Sequence, residues 1–345
     1  MKDLRLEKIN IRAVNVPLNK PVIAHLGTFE KWPFLCLDAH TNKGLIGKSY
    51  IGPYLVDQLP VIAKCIEALS KPFLNQEIKP YNFFEEGFKK ISLLGYQGIS
   101  IYALAALDIA FWDVYAKAAN MPLVCLLGSD LKPVKTYNSR GLWLIPLNEI
   151  EKETNDLLEN GSFNAVKVRI GRNKLKDDIY VIEKIRKIGG ENLVIMSDFN
   201  QCYDYDTALK RMNELDDIGL YWFEEPINYR NFNDCAKLSS KINTPISIGE
   251  NFHGPYDLVN SIKANASTYI MPDLMRIGGV SGWLKSASIA EAYNLKFSTH
   301  LFPEVSAHLM NLTPTAHWLE WVDWANPILQ DTGFRVENGE YYIPD

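Results

Sequence analysis

Cysteine is scarce in this chain of 345 residues, which contains five cysteines and no CxxC pair. Because the number is odd and the residues are widely spaced, the sequence argues against a disulfide framework and against a cysteine-based zinc or redox centre. We interpret the cysteines as reduced core residues of an intracellular protein. They are Cys36, Cys65, Cys125, Cys202 and Cys235.

An excess of basic charge and long apolar runs are also missing. Lys and Arg number 36 against 41 Asp and Glu, which gives a net charge of -5, and the cations are dispersed. Nucleic acid is therefore not an expected partner. No apolar run approaches the ~20 residues of a membrane span, and the N-terminus lacks the apolar core of a signal peptide. We expect a cytoplasmic protein with no membrane partner that acts on a small molecule.

Two domains are predicted from the length of the chain and from a change in its hydrophobic period. The chain exceeds the ~250 residues at which single cores stop growing. Residues 4–51 alternate polar and apolar side chains as an antiparallel meander does, and residues 55–119 have helical periodicity. We place a small α+β domain at 1–128, a barrel at 129–320 and a C-terminal segment at 321–345 that packs back on the first domain.

Six polar or charged residues close short apolar runs in the second half of the chain, at intervals of 23 to 31 residues. A (β/α)8 barrel of ~250 residues divides into units of about 31, so the predicted fold class is α/β. The first barrel strand would end near Ser139 and the eighth at Glu320. Because the carboxyl ends of the strands meet on one face, the six side chains should converge. They are Lys167, Asp198, Glu224, Glu250, Asp273 and His300.

Three of these residues predict a metal site. Asp198, Glu224 and Glu250 end consecutive strands, and a divalent cation would relieve their mutual repulsion. Oxygen ligands with open positions favour Mg²⁺, for which Mn²⁺ can substitute. For any single carboxylate the N-cap of the next helix is an equally good interpretation, and SDFN looks like one. Three carboxylates in register favour the metal.

Proton-transfer groups are predicted beside the carboxylates. Lys167 and Arg169 alternate on the second strand, so both face the barrel interior. Asp273 can fix the tautomer of His300 and make it a general base, whereas the alternative is a satisfied core histidine. Glu320, if protonated, could donate a hydrogen bond to a substrate carboxylate, and the alternative is an ordinary carboxylate at the rim.

At these residues the chain resembles the mandelate racemase subgroup of the enolase superfamily (the mandelate racemase/muconate lactonizing enzyme family) over nearly its full length. The resemblance implies a modified TIM barrel, (β/α)7β, with an N-terminal α+β capping domain over its mouth. It also implies Mg²⁺-dependent abstraction of the α-proton of a 2-hydroxy carboxylate to a metal-stabilised enediolate. The matching segments are RAVNVPL, ALDIAFWD, AVKVRIG, SDFNQ, FEEP, GEN, MPDLMRIGGVSGW, STHLFPEVSAHL and TPTAHWLE.

The same resemblance implies roles for individual residues. The three carboxylates would hold Mg²⁺, the dyad of Asp273 and His300 would be one base, and Glu320 would be the electrophilic acid opposite Lys167. A homo-oligomer, such as an octamer, is also implied. Substrate contacts are implied for Ser139, Asn200, Val22, Leu26, Phe29 and Tyr54.

One position departs from the racemase pattern. That pattern carries a second lysine two residues after the first, which serves as the base on the face opposite the histidine, and this chain has Arg169 there. Arginine stays protonated, with a pKa above ~12, so it makes a poor base. Racemisation needs a base on both faces of the substrate, so it is the activity that arginine at position 169 affects most.

Three functions are compatible with the sequence. Overall similarity and the apolar residues of the cap favour a racemase or epimerase of an aryl 2-hydroxy acid. An acid-sugar dehydratase would need only His300 as base and then acid, with Arg169 as an electrostatic clamp and Arg140 as a ligand of hydroxyls or of a second carboxylate. A non-catalytic binding protein would explain the missing lysine, but mere binding does not need a poised dyad.

Overall fold

An antiparallel three-stranded sheet forms the N-terminal domain, as the alternating sequence predicts. The computed structural model describes residues 3–159, 162–329 and 332–344. A turn at the segment TNKG joins the second strand to the third, and neighbouring strands of the sheet are neighbours in the chain. The strands are β1 (Leu6–Ala24), β2 (Gly27–Thr41) and β3 (Ile46–Ile51).

The hairpin of β1 and β2 is longer than the sequence suggests. Pairing resumes after a register shift between Pro17 and Val22 and continues from Val22 with Phe29 to Ala24 with Gly27. The tip reaches the barrel, where the Leu144 N–H donates to the Ile23 carbonyl at 3.0 Å. The approach is close, because a Cβ added at Gly171 would lie 2.6 Å from a ring nitrogen of His25.

Helices pack against the cap sheet. The most apolar of them contacts the sheet and the other two long helices, and it ends at Asn120, whose left-handed φ of 52° closes it. By length and composition this helix could cross a membrane, contrary to the expectation from the sequence, but 72% of its apolar window is buried inside the protein. The helices are α1 (Leu59–Ser70), α2 (Pro80–Ser92), α3 (Ile99–Ala119) and α4 (Leu123–Leu126).

Eight parallel strands form the barrel within the described residues. They are β4 (Val134–Asn138), β5 (Ala165–Arg169), β6 (Val194–Asp198), β7 (Phe223–Glu224), β8 (Ile246–Ile248), β9 (Tyr269–Ile270), β10 (Lys296–Phe297) and β11 (Leu319–Trp321). Strand β11 pairs with β4, and main-chain hydrogen bonds such as that from Thr299 N–H to Trp318 O, at 3.0 Å, close the ring between β10 and β11.

Seven helices separate these strands, which confirms the predicted (β/α)7β barrel with its capping domain. The segment LKDDIYVIEKIRKIG forms α6 over its whole length and ends on Gly189, whereas α7 ends at Leu215, four residues before Gly219. The helices are α5 (Ile150–Glu159), α6 (Leu175–Gly189), α7 (Tyr205–Leu215), α8 (Phe232–Ser239), α9 (Gly254–Ala264), α10 (Gly279–Ala292) and α11 (Pro303–Met310).

The C-terminal segment divides its contacts between the two domains. It forms a hairpin of β12 (Arg335–Glu337) and β13 (Glu340–Tyr342), and β13 pairs antiparallel with β4. The hairpin therefore extends the barrel sheet and does not join the cap, because the amino end of β4 offers a free edge. Trp324, at the start of the segment, does contact the cap, since its ring lies 4.3 Å from that of Trp32.

Candidate active site

The side chains predicted to converge do meet at the carboxyl ends of the barrel strands. Lys167 lies within β5, while Asp198 and Glu224 are the last residues of β6 and β7. Glu250 lies two residues beyond β8. Asp273 and His300 follow β9 and β10 and form an isolated parallel bridge with each other. The period of the apolar runs therefore predicted which side chains the fold brings together.

The three carboxylates form one cluster with the geometry of a cation site. One oxygen from each of Asp198, Glu224 and Glu250 lies within 4.8 Å of the others. Burial and the charge of Asp198 raise the pKa of Glu224 to about 8. A buried set of carboxylates that resists ionisation is stabilised by a divalent cation, and an all-oxygen donor set suits Mg²⁺.

Asn200 supports the first of these carboxylates. Its main-chain N–H donates to Asp198 Oδ1 at 2.7 Å, and its side-chain amide donates to Oδ2 at 3.0 Å. Asn200 itself has a positive φ of 47°. The turn after β6 thus holds Asp198 in place, and the predicted contact of Asn200 with substrate stays a prediction.

Lys167 lies among the carboxylates and is fully buried. Its Nζ is 2.8 Å from Glu224 Oε1, 2.7 Å from Glu320 Oε1 and 3.9 Å from Asp198 Oδ2. Burial opposes its charge, but Glu224 and Glu320 outweigh burial and raise the pKa of the ammonium group. Lys167 is therefore a fixed cation beside the metal cluster.

Arg169 is held by a carboxylate and an aromatic ring. Its Nε lies 3.2 Å from Asp198 Oδ2, and its guanidinium carbon lies 4.6 Å from the ring centroid of Trp143. Burial opposes its charge, but Asp198 and the neighbouring carboxylates outweigh burial and raise its pKa above the usual value. No hydrogen-bond partner for Arg169 Nη1 exists among the described residues.

His300 and Asp273 form the predicted dyad. The ring Nδ1 lies 2.8 Å from Asp273 Oδ2, and Nε2 lies 3.4 Å from Glu250 Oε2. The hydrogen bond to Asp273 places the ring proton on Nδ1 and leaves Nε2 directed toward the metal cluster. Burial disfavours the imidazolium, but Glu250 and Asp273 outweigh burial and raise the pKa of His300 to about 9.

Glu320, for which a donor role was predicted only if the group is protonated, lies against Lys167. It contacts Lys167 directly, and its Oε2 accepts a hydrogen bond from the Leu301 N–H at 2.9 Å. Burial would raise the pKa of Glu320, but the charges of Lys167, His300 and Arg169 lower it to about 2. The Lys167 ammonium group and the Leu301 main-chain N–H both contact this carboxylate and favour its anion.

The predicted substrate contacts divide into three groups. Val22 is buried and Phe29 is partly buried against Trp32, whereas Leu26 at the hairpin tip is 82% exposed. Leu26 therefore does not line an enclosed wall in this conformation. The Tyr54 hydroxyl and the Ser139 Oγ are buried and have no hydrogen-bond partner among the described residues.

Arg140 is engaged elsewhere, although we considered it as a substrate ligand. Its Nη1 lies 3.2 Å from Asp323 Oδ2, and its guanidinium lies 5.6 Å from the ring centroid of Trp321. A guanidinium with a carboxylate partner and a stacked ring is already satisfied. In this structure Arg140 acts as a bridge between the loop after β4 and the C-terminal segment.

Several residues near the site were not predicted from the sequence. Three tryptophans form a connected set of rings, with centroids 4.3 Å and 6.0 Å apart: Trp32 of the cap, Trp324 of the C-terminal segment and Trp143 of the barrel. Arg276 and Asn251 lie beside Glu250. Asn251 and Glu225 could have been predicted, because each directly follows a predicted metal ligand, in the motifs GEN and FEEP. The spacing of the tryptophans gives no such indication.

Family models match both domains. The model of the mandelate racemase/muconate lactonizing enzyme N-terminal domain matches residues 7–128, and that of the enolase C-terminal domain-like fold matches residues 149–345. The chain belongs to the enolase superfamily. Within it, the N-terminal match places the chain in the mandelate racemase/muconate lactonizing enzyme subgroup, so the predicted resemblance is confirmed.

Three relatives illustrate the range of this family. An L-talarate/galactarate dehydratase of Salmonella typhimurium is 32% identical over 73% of this chain, and the match spans 63% of that protein. An enolase of alpha proteobacterium BAL199, solved with bound magnesium, is 40% identical with a TM-score of 0.97 and covers 99% of this chain and 95% of its own. An enolase of Bradyrhizobium, complexed with magnesium and mandelic acid, is 33% identical with a TM-score of 0.95, and the match covers 100% of this chain and 95% of that protein.

Proposed function

We propose that this protein is a Mg²⁺-dependent acid-sugar dehydratase that uses His300 first as a base and then as an acid. The observation that carries the proposal is the state of Arg169. It occupies the position of the second base, yet it is paired with Asp198, stacked over Trp143 and holds its proton more tightly than a free arginine. His300 is therefore left as the group placed to exchange a proton with the substrate.

The carboxylate end of the substrate is placed by the metal cluster and Lys167. Bound Mg²⁺ would withdraw electron density from the substrate carboxylate and so lower the cost of removing the α-proton. Lys167, with a raised pKa, supplies a permanent positive charge beside that carboxylate. The unpartnered Ser139 Oγ offers one further hydrogen bond.

His300 performs both proton transfers. Nε2 takes the α-proton as the C2–H bond breaks, and Asp273 stabilises the imidazolium through Nδ1. The protonated Nε2 then gives that proton to the hydroxyl on C3, which leaves as water while C2 and C3 become doubly bonded. The same ring is neutral again after the step, so no second base is required.

The named relatives support this class of reaction. The talarate/galactarate dehydratase is among them, and an arabinonate dehydratase of Saccharolobus solfataricus matches 100% of this chain at 25% identity. In the proposed reaction Arg169 stays charged throughout. Its free Nη1 would bind a hydroxyl of the sugar acid on the face opposite His300.

Proton NMR in D₂O tests the proposal directly. The purified protein with Mg²⁺ is incubated with a panel of sugar acids and, separately, with each enantiomer of mandelate. We expect loss of water from at least one sugar acid with one solvent deuteron in the product, and no such reaction with the His300→Asn variant. Inversion of both mandelate enantiomers without any dehydration would contradict the proposal.

A racemase or epimerase of an aryl 2-hydroxy acid is the second candidate. The relative complexed with mandelic acid favours it, and Val22, Phe29 and Trp32 provide an apolar wall for an aryl group. This activity needs proton transfer on the face of Arg169. Exchange of the α-proton in one mandelate enantiomer alone would show that His300 is active and that Arg169 is not.

A further inference from the structure

Arg276 links the metal cluster to the base. Its Nη1 donates to the Glu250 carbonyl at 3.1 Å and also to Asn251 Oδ1. Its main-chain N–H donates to Asp273 Oδ1 at 2.9 Å. One residue thus bonds to the main chain of a predicted metal ligand and to the carboxylate that orients His300.

Asn251 extends this link to two carboxylates. Its Nδ2 lies 2.8 Å from both carboxylate oxygens of Glu225 and 3.1 Å from Glu250 Oε1. Its Oδ1 accepts from Arg276, so the amide can take only one orientation, with nitrogen toward the carboxylates. The side chain of Glu250 is therefore held from one side by a fixed donor.

Glu225 anchors the far end of the same set. It is fully buried with a positive φ of 40°, a strained conformation for a non-glycine residue. Its main chain is bonded on both sides, since its N–H donates to Ser247 O at 3.1 Å and its carbonyl accepts from Gln201 N–H at 2.8 Å. Burial of a carboxylate costs free energy unless the group is hydrogen-bonded. Both carboxylate oxygens of Glu225 accept hydrogen bonds from Asn251.

We propose that Arg276, Asn251 and Glu225 are positioning residues that hold Glu250 and the Asp273–His300 dyad in one fixed relation. Glu250 would contact the metal, and His300 Nε2 lies 3.4 Å from Glu250 Oε2. The network would therefore fix the position of the base relative to a cation held by Glu250. The role of His300 in this proposal rests on the proposed function. The support that the three residues give to Glu250 does not depend on the reaction.

Metal affinity is the decisive measurement. Arg276→Met keeps an apolar stem and the main-chain N–H that donates to Asp273, and it removes the side-chain donors to Glu250 and Asn251. We therefore expect the Kd for Mg²⁺ in titration calorimetry to rise about 10- to 100-fold, as for other residues that support metal ligands. Asn251→Ala should act similarly. Because both residues belong to one network, their effects should not add. The double variant should have a Kd for Mg²⁺ about equal to that of the single variant that binds more weakly.

Two controls separate positioning from general destabilisation. Arg186→Ala removes an arginine that also donates to main-chain carbonyls, those of Gly190 and Leu193, at a distance from the site along the fold. It should lower thermal stability without changing the Kd. Arg276→Lys keeps the charge and one donor, and it should recover part of the affinity lost in Arg276→Met.

An unchanged Mg²⁺ Kd in folded Arg276→Met and Asn251→Ala would overturn the proposal. A raised Kd that returns partly in Arg276→Lys would support it. If the wild-type protein dehydrates no sugar acid while Arg276→Met still weakens Mg²⁺ binding, the proposed function fails and the positioning role stands. If dehydration is observed and both variants bind Mg²⁺ normally, only the positioning role fails.

Discussion

The two faces of the reaction centre carry groups of opposite capability. On one face, His300 is bonded to Asp273 at Nδ1, while Nε2 points toward the metal cluster. On the other, Arg169 is fixed between Asp198 and Trp143 and cannot release its proton. Both positions lie at strand ends of the same rigid barrel. In the proposed reaction, arginine in place of lysine at position 169 would therefore be enough to leave the site a single acid–base group, without any change of backbone.

Removal of the base is expected to have the largest effect. His300→Asn keeps a donor toward Asp273 but has no ring nitrogen for the α-proton, so kcat should fall about 10³-fold or more. The measurement is dehydration or α-proton exchange by NMR at saturating Mg²⁺. His40→Asn, in the cap and hydrogen-bonded to Asn10, is the matched control. Retention of exchange in His300→Asn would move the base to another residue.

Glu320 stands between the two faces and should give the next largest effect. It is bonded to Lys167 on one side and to the Leu301 N–H, next to His300, on the other. Glu320→Gln keeps an acceptor for the N–H and removes the charge, so we expect kcat to fall about 100-fold with Mg²⁺ affinity little changed. A fall in Mg²⁺ affinity equal to the fall in kcat would instead indicate that Glu320 supports the cluster.

Arg169→Lys tests the comparison by restoring a titratable group to the second face. Lysine loses the fork that spans Asp198 and the Trp143 ring, so we expect dehydration to slow by about tenfold. Exchange of the α-proton should now appear in the mandelate enantiomer that the wild-type protein leaves untouched. Arg172→Lys, in the loop that follows β5 and bonded to Asp178, is the control. Absence of new exchange would show that position 169 cannot reach the α-carbon.

The sequence predicted the positions of the chemistry better than the state of each group. Strand periodicity located Asp198, Glu224 and Glu250, because parallel strands bring their ends together whatever the details of packing. It did not reveal that Glu320 is ionised or that Arg140 is bound to Asp323, since both depend on contacts between residues distant in the chain. The alternating pattern predicted the strands of the cap hairpin but not the register shift after which their pairing resumes.

The charge on Glu250 raises the pKa of His300, the acid–base group of one face. The prediction with the smallest expected effect concerns this pKa. Glu250 and Asp273 together raise the pKa of His300 to about 9 against the opposing influence of burial. A cation held by Glu250 cancels part of that negative charge and disfavours the imidazolium, so Mg²⁺ should lower the pKa of His300. We expect a change of roughly one unit, which corresponds to 1.4 kcal/mol.

The change can be followed by NMR titration of the histidine ring protons, with the His300 signals assigned by their absence in His300→Asn. The direction is decisive, because a lower pKa leaves more neutral ring at pH 7 and prepares Nε2 to accept a proton. His40, whose ring contacts Asn10 in the cap, should titrate alike with and without Mg²⁺. An unchanged or raised pKa at His300 would mean that the cation does not neutralise Glu250. The difference in proton transfer between the two faces would then depend on Arg169 alone.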